Sequence, residues 1–171
     1  MILQYVIVMV VTLVAIVVQT TILRFSADLM QVDLLFVIVV ILGIFKDPVH
    51  GAVQSSLIGY FQDLFYPAAV TGMFMTARMS VFIVGQALRG RLSPDTPLSQ
   101  FIIALGLGLF DRIVIFLLQG VFSEPARLSF KTVALLAMGT TINAALVPVI
   151  FFLLRFIPGF MEAPRGPQIL E

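Results

Sequence analysis

The chain contains no cysteine and a single histidine, His50. The first absence excludes disulfides, thiolate nucleophiles, iron–sulfur clusters and thiolate zinc sites. The second excludes a metal site built on several histidines. Charge is scarce as well. Only 11% of the 171 residues are Asp, Glu, Lys or Arg, where an ordinary soluble domain carries about 25%. The net charge is +1, which leaves no broadly basic surface for nucleic acid and no acidic tail. A Walker A sequence is missing, so the chain does not itself couple ATP hydrolysis. G-x-S-x-G and H-E-x-x-H are missing too. The sequence nominates no catalytic residue, no cofactor and no metal, and the expectation is a non-enzyme.

The residues that remain are mostly apolar. Hydrophobic residues make up 60% of the chain and its mean hydropathy is +1.12. A water-soluble fold of this size cannot hide that much apolar surface. A bilayer can, and each spanning helix needs about 20 mostly apolar residues. Six candidates emerge: residues 2–23, 30–45, 50–66, 70–88, 98–121 and 132–156. The second has a short apolar core, Leu34 to Phe45, so it is expected to borrow residues before Asp33. The first has no basic leader and no small-residue cleavage site, and reads as a retained helix. Lys46, Asp47 and Pro48 separate the second and third helices. Pro67 and Gly72 bracket the next turn, and Pro94 to Pro97 form a loop. Glu124 and Pro125 open the longest outer connection. The fold class is all-α: one polytopic domain over 1–160 with about six transmembrane helices, then a polar tail over 161–171.

Lysine and arginine placement orients the helices. With the N-terminus inside, the inner segments hold Lys46, Arg89, Arg91, Arg155 and Arg165, and the outer ones Arg24, Arg127 and Lys131. That bias places both termini in the cytoplasm.

Several residues stand out. Gly51, Ser55, Gly59 and Asp63 recur every four residues and share one helical stripe. Small residues at that spacing form a close packing face, either internal or for another subunit. Asp63 is costly near a membrane interior unless paired or wetted. Its candidate partner is Arg78 on the following helix, and the alternative is a hydrated helix end. Asp111 and Arg112 lie mid-way along the fifth helix, about 100° apart. They either pair with each other or draw on Asp63 and Arg78. Gln62 and Asn143 complete the buried-polar or pocket candidates, with Asn143 read as an interhelical hydrogen-bonder. His50 is expected to be a solvated residue beside the turn at Lys46.

Gln19-Thr20-Thr21 closes the first helix and Val32-Asp33-Leu34 opens the second. Gly51, Gly59, Gln62-Asp63-Leu64 and Gly72 come next. In this order the features resemble the bacterial rod shape-determining MreD family, with the motif positions Gln19, Asp33, Gly51, Gly59, Asp63 and Gly72. The likeness covers about residues 15–90 by motif and the whole chain by length and hydropathy. It implies a non-enzymatic inner-membrane scaffold of the cell-elongation machinery, the elongasome. Its partner would be MreC, with RodA and a class B penicillin-binding protein reached indirectly in peptidoglycan synthesis and cell-shape control. A homo-oligomer is left open. It also implies a fold similar to the substrate-binding subunits of energy-coupling-factor transporters. The second functional reading, a vitamin or small-molecule binding subunit, comes from there. Arg78, Asp111 and Arg112 are not carried over from the family as motif positions, and they leave room for a ligand pocket.

Overall fold

A computed structural model describes residues 2–21, 32–65, 71–89, 91–92, 94–122, 129–154 and 156. They form six α-helices: α1 (Ile2–Thr21), α2 (Leu34–Phe45), α3 (Pro48–Phe65), α4 (Met73–Leu88), α5 (Pro97–Phe122) and α6 (Phe130–Leu154). The described residues contain no β-strand. Pro48 and Pro97 occupy first helical positions, where a missing N–H costs nothing. Pro148 lies inside α6. Arg24, Pro67, Glu124, Pro125, Arg127, Arg155, Arg165 and the tail 161–171 lie outside the described residues.

Among the described residues, two helices are long and apolar enough to cross a membrane: α5, and Thr132–Leu154 within α6. The second expected span is shorter than its sequence suggested. Asp33 caps α2, accepting a hydrogen bond from the Phe36 N–H at 3.0 Å, so the helix borrows nothing upstream. Twelve residues rise about 18 Å, well under a hydrocarbon core of about 30 Å.

This short helix is the centre of the molecule. Every residue from Leu35 to Ile44 is buried, and the other five helices pack around it. That explains its composition. A helix with no outward face needs no polar stripe, and LLFVIVVILGIF has none. Its C-terminal end is tied to α4. The Lys46 carbonyl accepts from Gln86 Nε2 at 2.7 Å and from Arg89 Nη1 at 2.5 Å. A guanidinium at a helix C-terminus also meets the negative end of the helix dipole.

Polarity is distributed inside out. Val10, Leu13, Val14 and Val17 on α1 are exposed, as are Ile113 and Leu117 on α5 and Phe152 and Leu153 on α6. Meanwhile Gln62, Asp63, Arg78, Asp111 and Asn143 are buried. An apolar exterior of this extent is unusual in a soluble monomer.

The Gly51–Ser55–Gly59 stripe turns inward against α4. A Cβ on Gly59 would lie 2.5 Å from Met75 Cα and 2.8 Å from Met75 N and Phe74 O. Those are backbone atoms, which have nowhere to go. At Gly51 the neighbour is the Phe82 ring, and Ser55 is fully buried. The stripe is therefore an internal packing face of the chain and is not open to another subunit. Gly59→Ala is expected to cost about 1–3 kcal/mol through overpacking. Thermal unfolding of the purified protein checks this, and an unchanged midpoint would refute the close α3–α4 contact.

A buried arginine network as the candidate functional site

Five helices send polar groups to one point inside the bundle, and Arg78 on α4 is its hub. Its relative exposure is 0%. Nε donates to Gln62 Oε1 on α3 at 3.0 Å. Nη1 donates to Asp111 Oδ1 on α5 at 2.5 Å. Nη2 donates to Asp33 Oδ2, just ahead of α2. The planar fork suits this task, since it presents five donors in fixed directions. Phe36 and Phe74 flank the guanidinium, with ring centroids 5.5 and 5.7 Å from its central carbon. Their faces add cation–π attraction and exclude water.

The acceptors are themselves held. Asp33 Oδ2 also takes Gln62 Nε2 at 3.1 Å, and Oδ1 takes the Phe36 N–H. The Asp33 backbone N–H donates to Asn143 Oδ1 on α6 at 2.9 Å. Asn143 thus makes the interhelical bond expected of it, and the other end of that bond is main chain. A buried ion pair repays its desolvation only when geometry is good and the remaining valences are met. Here two carboxylates, two amides and two aromatic faces meet them.

Asp63 stands apart from this network, which overturns the expected Asp63–Arg78 pair. Its carboxylate accepts three backbone N–H groups at the start of α4: Gly72 at 3.0 Å, Phe74 at 2.9 Å and Met75 at 3.1 Å. It is only 6% exposed, so it is not a hydrated helix end either. Gly72 itself sits at φ +94°, a conformation that glycine adopts without penalty. Acidic groups at helix N-termini satisfy orphan donors and oppose the dipole. Gln62 and Asp63 are sequence neighbours, yet the 100° step sends one to the core and the other to α4.

Of the two alternatives for Asp111 and Arg112, the self-pair is absent, and Asp111 draws on Arg78 as the other foresaw. Arg112 makes no hydrogen bond to any described residue. Arg112 is partly buried and acts electrostatically on both Asp33 and Asp111. It shares a narrow crevice with Phe36, Gly108, Asp111, Thr140 and Asn143, which has no space for a water molecule. Gln54 and Ser55 on α3 bury side-chain polar atoms that have no hydrogen-bond partner among the described residues. Gln19 is buried on α1.

At the opposite end of α2, Asp47 caps α3. The His50 N–H donates to its Oδ2 at 3.0 Å, and the His50 ring nitrogen lies 2.7 Å from the same atom. Burial pushes the Asp47 carboxyl up, but these contacts outweigh it and hold its pKa below the ordinary value. His50 is half-buried against this cap, so the solvated reading needs that correction. The cap's contribution is complete above the ordinary carboxylate range and fades as pH falls through the lowered pKa.

Asp33 as an Arg78 partner escaped the sequence reading. The available signal was the N-cap pattern, an Asp directly before an apolar helical run. No group of three or more metal-ligating side chains occurs among the described residues. In comparisons with known proteins, no family model, no curated protein and no solved structure matches the chain.

Proposed function

We propose that the chain is a non-enzymatic, multi-pass scaffold of the bacterial inner membrane. It acts in the cell-elongation machinery by holding a single-span partner of the MreC type. In this reading all six helices belong to the membrane domain, and both termini face the cytoplasm. The peptidoglycan synthases are reached through that partner.

The observation that carries this reading is the use made of the interior charges. Arg78 and its acceptors are bonded to one another and shielded by Phe36 and Phe74. Such a network fixes how five helices meet and leaves the apolar exterior as the working surface. A vitamin-binding subunit needs a cavity instead, and the crevice beside Arg112 has no space for a water. Pockets for small molecules run to about 300–1,000 Å³.

The test is co-purification of the tagged full-length chain from native membranes in mild detergent. The scaffold reading expects an MreC-type protein in stoichiometric amount and no bound vitamin. A folded chain that comes out alone, or with an ATPase pair and a small molecule, refutes it.

A further inference from the structure

Arg112 poses a problem that the bundle does not solve. It lies ten residues before Phe122 on α5, about 15 Å from the helix end at 1.5 Å per residue. A lysine or arginine side chain snorkels over less than half that distance. Its guanidinium carries five N–H donors, and none is hydrogen-bonded to a described residue. The two carboxylates within its electrostatic reach are already engaged by Arg78.

Its neighbours on the helix surface form a seam. Leu105, Leu109, Arg112, Phe116 and Gln119 follow a four-three-four-three spacing, the heptad spacing of helix-on-helix packing. Leu109 is 52% and Phe116 42% exposed, while Leu105, Arg112 and Gln119 are partly buried. Gln119, one heptad after Arg112, likewise makes no hydrogen bond to any described residue. The seam thus has two exposed apolar knobs and two polar side chains that no described residue hydrogen-bonds.

We propose that this α5 seam is the docking line for one transmembrane helix of a partner, which places a neutral oxygen acceptor opposite Arg112. The acceptor is an amide rather than a carboxylate, because Arg78 and Arg112 already offset Asp33 and Asp111. The occupant is a helix and not a solute, because the adjoining crevice has no space for a water. It is not a lipid phosphate, because Arg112 lies too far from the end of α5. This inference rests on the scaffold reading and gives that partner a place to bind.

The experiment uses the full chain in phosphatidylcholine vesicles. The probe is a lysine-flanked Leu–Ala host helix of about 20 residues, with Gln, Glu or Leu at its centre. The Gln peptide is expected to bind about tenfold more tightly than the Leu peptide. Arg112→Met erases that preference. Because the chain has no cysteine, single cysteines report the face. Leu109→Cys and Phe116→Cys cross-link to a cysteine on the peptide, whereas Leu117→Cys, about a third of a turn away, does not.

Equal binding of Gln and Leu peptides overturns the proposal. Tighter binding of Glu than Gln, or a Leu117 cross-link as strong as that of Leu109, does the same. So does loss of the preference when phosphatidylglycerol is added, which assigns Arg112 to lipid. If Arg112→Met fails to fold, the peptide series and the cross-links on an otherwise native chain still decide. An MreC-type protein that co-purifies undiminished with Arg112→Met leaves the scaffold standing and removes this seam from it.

Discussion

Arg78→Met is expected to cut the yield of folded protein sharply and to lower its thermal midpoint. Methionine keeps the aliphatic stem but stops short of the guanidinium, so it removes every donor and the cation–π contacts with Phe36 and Phe74. Asp33 and Asp111 are then buried without their cation, and Gln62 Oε1 loses its partner. Breaking a buried pair from one side costs about 3–5 kcal/mol, and whole domains are stable by only about 5–15 kcal/mol. The measurement is the yield and thermal midpoint of the detergent-solubilised protein. A triple variant separates charge from packing. Adding Asp33→Asn and Asp111→Asn to Arg78→Met removes the stranded carboxylates and restores a large part of the midpoint. Arg78→Lys rescues less, since an ammonium cannot reach three acceptors in one plane. An Arg78→Met protein with a native midpoint would show that the network is ornamental.

Asp63→Ala is expected to have the next largest effect, and a local one. Three amide donors at the head of α4 lose their common acceptor in a place that water scarcely reaches. An N-cap removed from a helix costs about 0.5–2 kcal/mol, and a buried donor left bare costs about 1–3 kcal/mol. A loss of about 2 kcal/mol or more is therefore expected. Hydrogen exchange identifies the mechanism. The amides of Gly72, Phe74 and Met75 should exchange faster in the variant, while those of α5 and α6 stay protected. Asp63→Asn, which keeps one acceptor oxygen, should fall between. Uniformly faster exchange over all helices would contradict a capping role.

The same two residues show where sequence reading stops. Helix existence was legible, because Lys46, Asp47 and Pro48 mark one break, long apolar runs mark the helix bodies, and the loop read through Pro97 ends one residue earlier, with Pro97 opening α5. The membership of the polar core was largely legible too, since a buried Gln62, Arg78, Asp111 or Asn143 has no place on an apolar helix unless it has a partner. Pairing was not legible. It depends on the depth at which each helix begins, and α2 begins level with the middles of α5 and α6. Once Asp33 is recognised as a cap, Arg78 has a partner nearer than Asp63, and Asp63 is free for the next helix. A one-residue step along α3, from Gln62 to Asp63, decides which group enters the network. No composition or spacing rule resolves a difference of about 100° without knowing which neighbour lies on which side.

The placement of Asp33 also sets a timetable for biosynthesis. Its cation arrives 45 residues later, and the Asn143 amide that receives its N–H arrives 110 residues later. At about 5–20 residues per second, the ribosome needs several seconds to tens of seconds to deliver the full set. For a chain inserted into a bilayer as proposed, a short, wholly apolar helix with a carboxylate at its head has no settled place through that interval. The partners of Asp33 are complete only when α6 has been made, so quality control can act on the unfinished chain until it has reached Asn143.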